Sequence, residues 1–391
     1  MKAAPTLERG TCPVCSGADL LPSVVLASVP VLCNALHPDA ASAREAPTGR
    51  FVTKFCRSCA HVFNAAFDPD RVGYTQNYEN SLHFSARFVE FVDALVARLH
   101  DRYRLCGKKV VDIGCGKGEF LTRLCLASGA KGVGFDRSFE AARDVAIPGV
   151  RFVADWFGDA YADVRPDLIT CRHVLEHIAE PLTFLRTLRG HPGLAHSTVL
   201  YLEVPNALYT LRDLGIWDLI YEHVSYFTPL SLETIVTAAG FQVLDQGISF
   251  GGQYLYVEAA PGITRAPMAS PQGENVETFV RNFSDAYEAK VQYWGEFFAA
   301  HDPRQIIVWG AGSKGVTFVN TVNGADGIVA LVDVNPHKRG QFVPGAGVEV
   351  LAPQALLGRK LKSAIVLNPL YRAEIATIAT GLGLELELLT A

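Results

Sequence analysis

Residues 108–124 read KKVVDIGCGKGEFLTRL. Lys109 to Ile113 forms a short apolar strand that carries an acid, Asp112, near its end. Gly114, Gly116 and Gly118 then alternate with Cys115 and Lys117, and helix-compatible sequence starts at Glu119. Glycines let a backbone pass close to a ligand without Cβ clashes. A helix N-terminus behind them presents unpaired N–H groups. A strand, a glycine turn and a helix commit this part of the chain to an α/β layer structure. The spacing is G-x-G-x-G, which departs from the G-x-G-x-x-G of dinucleotide folds.

Upstream, residues 83–105 repeat apolar side chains at helical spacing and predict a lead-in helix. Downstream, GVGFDRS ends a second strand at Asp136, placed to accept hydrogen bonds from ribose hydroxyls. VRFVADWF ends a third with Asp155 and Trp156, an acid and a ring suited to an adenine amine and face. PDLITCRHVLEHIAEP, residues 166–181, reads as a fourth strand running into a helix. Together these segments resemble the class I S-adenosylmethionine-dependent methyltransferases over about residues 80–260. The resemblance implies a cofactor site of Asp112, Gly114, Cys115, Gly116 and Gly118 near the methionine part. It puts Asp136 at the ribose and Asp155 and Trp156 at the adenine, with His173 of HVLEH alongside. His177 of the same phrase is expected to be structural.

TCPVCSG and FCRSCAHVF carry Cys12, Cys15, Cys56 and Cys59. Two C-x-x-C pairs can supply four thiolates to one Zn²⁺, a closed and therefore structural site. The 40 residues between the pairs leave room for a β-hairpin. Cys33 and His61 are read as core or surface residues. No thioredoxin-like βαβ pattern surrounds either pair, which argues against a redox dithiol.

Residues 260–277 are rich in Pro, Ser and Gly and read as a linker into a helix from Val276 to about His301. RQIIVWGAGSKGVTFVNTV then gives Gly310-x-Gly312-x-x-Gly315, with Asp333 ending the next strand 23 residues past Gly310. On motif alone this fits a dinucleotide fingerprint. The chain beyond Asp333 is too short for a full dinucleotide fold, so a half-sized unit gripping a nucleotide, phosphate or acidic group is the other reading.

In that order, the zinc knuckles, methyltransferase core and short Rossmann-like tail resemble the three-domain zinc-containing C-methyltransferases. That family is best known for acting on nucleotide-linked deoxy-keto-sugars. The phrases CRSCAHVFN, QNYENS, VDIGCGKGEFL, HVLEHI, LEVPN, YEHVSYFT, GAGSKG and VDVNPHKRGQFVPG carry the likeness. It implies an α/β chain with a zinc-binding domain at 1–75 and a methyltransferase domain at 76–262. A linker and helix at 263–300 and a Rossmann-like domain at 301–391 follow, and the last contacts the substrate side of the cleft without holding NAD. Residues 221–223, Tyr-Glu-His, match a family Tyr-His-Glu-His with one histidine missing. By this match His223 is the base, Glu222 orients it, and Tyr221 and Tyr78 complete the catalytic set, with Tyr78 stabilising an enolate. FGGQYLYVEA and VLNPLY depart from the sugar enzymes' counterparts, which points to a sister branch with another small polar acceptor.

The 391 residues are 49% apolar and 19% charged, enough for two or three packed domains and too apolar for extensive disorder. A net charge of −5 gives no general attraction to nucleic acid or anionic membrane, and no apolar run of 18 residues or more is present. Nine cysteines without a framework pattern fit a reducing cytoplasm. The expected partner is a small molecule, with nucleotide-linked compounds among the candidates. Oxygen or nitrogen methylation at the same site, an RNA methyltransferase and a cofactor-binding scaffold are the rival readings. The acidic balance opposes RNA.

Overall fold

Strands β1 (Leu20–Pro30) and β2 (Thr48–Cys56) pair antiparallel, and β3 (Val62–Asn64) pairs with β2 across the turn that holds Cys56 and Cys59. This is the expected hairpin between the two cysteine pairs. The computed structural model describes residues 8–73, 78–139, 147–262 and 275–391. Of the linker expected at 260–277, residues 263–274 lie outside the described residues, while Ala260 and Pro261 end a strand and Val276 and Glu277 begin a helix.

The central unit contains β4 (Lys109–Ile113), β5 (Lys131–Phe135), β6 (Val150–Val153), β7 (Leu168–Arg172), β8 (Val199–Pro205), β9 (Ser225–Tyr226), β10 (Phe241–Ser249) and β11 (Tyr254–Pro261). Seven of them form one sheet in the order β10-β11-β8-β7-β4-β5-β6. Only β11 runs antiparallel to its neighbours. The inner strands are apolar on both faces, as a covered parallel sheet requires: Val110, Val111, Ile169, Cys171, Leu200 and Leu202 are all buried. The predicted lead-in helix spans Ala86–Tyr103, capped by Ser85 and burying Phe88, Val92, Leu95, Val96 and Leu99 along one stripe. Its far end is clamped by Glu258 of β11, a fully buried carboxylate that accepts from Arg98 and Tyr103 and pairs with Arg102. No described helix is long and apolar enough to cross a membrane.

Strand β9 does not join the central sheet. It pairs with β3, so the sheet ordered β1-β2-β3-β9 draws one strand from the middle of the chain. Asn64 reinforces the junction: its N–H donates to the Val224 carbonyl at 2.8 Å and its side-chain amide to the Tyr221 carbonyl at 3.3 Å. The first segment and the central unit are therefore welded through residues 221–226.

After the helix Val276–Ala300 comes a second parallel sheet of β12 (Ile306–Trp309), β13 (Leu331–Val332), β14 (Val350–Leu351), β15 (Ser363–Val366) and β16 (Glu387–Thr390). Its order is β14-β13-β12-β15-β16. Gly310 turns the chain at φ 113°, and the helix Ser313–Thr321 starts directly behind. Gly315 lets that helix lie against the turn: a Cβ there would sit 2.0 Å from the Gly310 carbonyl oxygen. A Cβ on Gly312 would meet nothing within 4 Å.

Gly315→Ala should therefore cost about 1–3 kcal/mol by forcing helix and turn apart. Gly312→Ala should stay within about 0.5 kcal/mol of wild type. Thermal denaturation of the two variants checks the contrast, and equal melting temperatures would refute it.

Candidate active site

In both sheets the parallel strands turn their carboxyl ends toward one cleft of about 970 Å³. In open α/β sheets this end, where the strand order reverses, is where ligands bind. Asp112, Gly114, Cys115, Gly116, Asp136, Trp156 and His173 line one wall. Gly310, Lys314, Asp333 and Asn368 line the facing wall, and Asn34 and Tyr78 reach in from the first segment and its junction.

The turn after β4 fits a cofactor that lies against its backbone. Gly114 and Gly116 have φ of 68° and 53°. A Cβ on Gly114 would strike Val174 at 2.2 Å, whereas at Gly116 nothing lies within 4 Å, so the backbone there is open to the cleft. Asp136 braces the turn, accepting from the Gly116 N–H at 2.9 Å and from the Ser138 N–H at 2.8 Å. Its carboxylate keeps lone pairs for ribose hydroxyls. Asp112 is buried and accepts from the Thr170 hydroxyl at 2.7 Å. Burial raises its pKa to about 7 against that hydrogen bond. Trp156 leaves 58% of its surface exposed at the rim, beside the Arg137 guanidinium.

Two residues expected at the cofactor are placed elsewhere. Gly118 does not line the cleft; it packs under Phe152, where a Cβ would fall at 2.4 Å, and caps the helix Glu119–Ser128. Asp155 is exposed and turns its carboxylate to the Trp156 N–H at 2.7 Å and the Tyr161 hydroxyl at 2.8 Å. His173 does line the cleft, but as part of a buried charge network that the sequence did not reveal. Its backbone is strained at φ 54°. Its ring nitrogens lie 3.3 Å from Glu203 and 3.6 Å from Glu176. Arg172 pairs with the same Glu203 at 2.7 Å. Burial works to raise Glu203, yet Arg172 and His173 hold it at about 2.

The Tyr-Glu-His stretch splits into three roles. Tyr221 is a core residue outside the cleft lining: its ring covers Gly49 and its hydroxyl accepts from the Asp68 N–H at 3.0 Å. Glu222 is fully buried. It accepts from the Tyr78 hydroxyl at 2.7 Å and the Cys33 N–H at 3.1 Å, and burial raises its pKa. The expected carboxylate-to-imidazole support of His223 is not made. Instead the Glu222 carbonyl accepts from His177 Nδ1 at 3.0 Å, and the His177 ring packs on His223 at 4.9 Å between centroids. His223 lines the cleft. Burial drives its pKa well below the ordinary value, helped by the nearby His177, so its imidazole is neutral.

Cys12, Cys15, Cys56 and Cys59 converge. Cys12 and Cys59 sulfurs are 3.6 Å apart and those of Cys15 and Cys56 are 3.5 Å apart. A tetrahedron with zinc–sulfur bonds of about 2.3 Å has edges of about 3.8 Å, so the four fit such an ion. The described residues contain no disulfide, and all nine cysteines are free.

Two family models match the chain. Residues 84–246 match a methyltransferase domain and residues 273–382 a C-methyltransferase C-terminal domain. The ubiquinone biosynthesis O-methyltransferase of Proteus mirabilis (strain HI4320) is 35% identical over 92 residues, 21% of this chain and 37% of that protein. Its counterpart in Aeromonas salmonicida (strain A449) is 30% identical over 158 residues, 36% of this chain and 66% of that protein. The chain thus spans little more than a third of the first of these relatives. Magnesium protoporphyrin IX methyltransferase from Synechocystis PCC 6803, solved with bound SAH, is 21% identical. That match covers 47% of this chain and 89% of that one, with a TM-score of 0.35. The core of this chain, residues 84–246, thus matches a methyltransferase domain.

The Glu222 geometry makes a distinction testable. In Glu222→Gln the amide oxygen can still accept from Cys33 and the amide nitrogen can donate to Tyr78, so stability should fall by less than about 1 kcal/mol. Glu222→Leu orphans the Cys33 N–H and should cost about 1–3 kcal/mol. Denaturant titration of both variants checks this, and equal losses would show that the hydrogen bonds do not matter.

Proposed function

We propose that this chain transfers the methyl group of S-adenosylmethionine to a carbon beside a carbonyl in a small polar acceptor. The match of residues 273–382 to a C-methyltransferase C-terminal domain carries this reading. The glycine turn of that segment and the glycine turn of the core face the same cleft, which supports an acceptor held between them. A nucleotide-linked keto-sugar is one acceptor of this class.

Bound at Gly114, Gly116 and Asp136, the cofactor supplies a sulfonium methyl group as electrophile. The chain's own residues must hold the acceptor in line, exclude water and remove a proton. His223 is our candidate base: a neutral imidazole has a lone pair for the proton on the carbon beside the carbonyl. Tyr78 lines the cleft, and its hydroxyl is tied to Glu222; a donor there would suit the enolate oxygen. Tyr221 and Glu222 act through position. Oxygen methylation is the second reading, favoured by the printed activity of the relatives, whose likeness is confined to part of the chain.

Incubation with S-adenosylmethionine carrying a ¹³C methyl group and candidate acceptors tests the reaction. The product methyl should resonate as carbon-bound in ¹³C NMR, and His223→Asn should lose about 10²–10⁴ in turnover with cofactor affinity kept. An oxygen- or nitrogen-bound methyl, or full turnover in His223→Asn, would overturn the respective assignment.

We also infer a structural Zn²⁺ on Cys12, Cys15, Cys56 and Cys59, supported by the sulfur spacing. Elemental analysis should find about one zinc per chain bound by these thiolates, and Cys56→Ser should lose it and lower the melting temperature. Fresh protein free of zinc would refute the site.

A further inference from the structure

One ligating atom each from Glu176, His177 and His223 lies within 4.8 Å of the other two. All three residues line the cleft. They come from two segments fixed against each other: the Val224 N–H donates to the Glu176 carbonyl at 2.8 Å. Glu176 Oε2 and His223 Nδ1 are both buried, and neither has a hydrogen-bond partner among the described residues. Buried polar atoms without partners are costly and rare in native structures. Two of them in one cluster of three ligating side chains point to a common missing partner that accepts lone pairs from both.

A cation meets that requirement. His177 adds a further sign, because its Nδ1 is 3.0 Å from the Glu222 carbonyl oxygen. Donation to that carbonyl puts the ring proton on Nδ1, so Nε2 is the nitrogen that would ligate, with the support that ligating histidines usually have. Two imidazoles and a carboxylate suit zinc and similar first-row divalent ions. With bonds of about 2.0–2.2 Å the ligating atoms of such a site lie about 3.3 Å apart, so this trio closes on an ion by a shift of about an ångström. The nearby Lys314 is already paired with Asp218.

We propose that Glu176, His177 and His223 form a second divalent-cation site, open toward the cleft and separate from the four cysteines. It goes beyond the methyl-transfer reading and rests on it for one consequence. A His223 lone pair that holds a cation cannot take a proton, so filling this site withdraws the base and inhibits transfer.

The test is a count of zinc by native mass spectrometry on the full chain, dialysed against micromolar Zn²⁺. Wild type should hold two ions per chain, and Glu176→Gln and His177→Ala should each hold one. Anomalous scattering at the zinc edge from wild-type crystals, which needs no variant, should give a second peak between Glu176, His177 and His223. A single ion in wild type, a second ion kept by both variants, or no peak at the trio would overturn the site. Calorimetry of S-adenosylmethionine on wild type tests the methyl-transfer reading by itself. Failure there would leave the ion count standing, whereas an ion count of one with normal cofactor binding would remove the site alone.

Discussion

A buried carboxylate must be given partners or it neutralises, and Glu222 is where this chain meets that demand. Its two carboxylate oxygens collect the Cys33 N–H from the first segment and the Tyr78 hydroxyl from the lead-in to the core. Its carbonyl collects His177 from the turn after β7. Three stretches far apart in sequence are thereby fixed around one residue, and strand β9, which leaves it, closes the first sheet. The cleft wall that bears His223 exists because these pieces are held together. Removal of the carboxylate would therefore act on the cleft through geometry, with His223, our proposed base, itself left in place.

The two parallel sheets solve one problem twice. In each, the acid ending the second strand accepts from a backbone N–H in the glycine turn of the first. Asp136 accepts from Gly116 at 2.9 Å, and Asp333 from Ala311 at 2.9 Å. Each also accepts from the N–H two residues on, Ser138 or Asn335, at 2.8 Å. The turns then diverge. Gly116 leaves backbone bare to the cleft, while in the second unit Lys314 pairs with Asp218 across the mouth and buried Lys338 donates to the Ala311 carbonyl. A dinucleotide fingerprint in sequence is thus occupied by internal pairs, in keeping with a unit that completes an acceptor site.

What could be read from sequence followed from short-range rules. The glycine turn, the strands ending at Asp136 and Asp333, the helix Val276–Ala300 and the paired cysteines are all local patterns. The division of roles within residues 221–223 is not legible in sequence, because Glu222 and His223 are adjacent yet meet different partners. Asp155 shows a similar effect: its carboxylate accepts from its local partners Trp156 and Tyr161. Gly118 was assigned to ligand approach when packing against Phe152 is what forbids a side chain. Arg172 and Glu203 gave one faint signal, charged residues at the ends of apolar strands, which in a parallel sheet face the ligand edge.

Those strand-end charges have a consequence for reactivity. A methyl electrophile attacks whatever exposed lone pair is best aligned, so a cleft full of free carboxylates would methylate itself or its wrong partner. Here several acids in and behind the cleft wall are engaged: Asp112 by Thr170 and Asp218 by Lys314 in the lining, and Glu203 by Arg172 and His173 and Glu222 by Tyr78 and Cys33 behind it. His173 holds its strained backbone in order to sit between Glu203 and Glu176, and those acids outweigh burial and raise its pKa. The neighbouring His223 has no such carboxylate contact, and burial lowers it. Two imidazoles of one cleft are therefore pushed in opposite directions, one toward a cation that balances buried acids and one toward a neutral acceptor. That division by environment, more than the identity of either residue, is why we propose His223, and not His173, as the group that receives a proton or a metal ion.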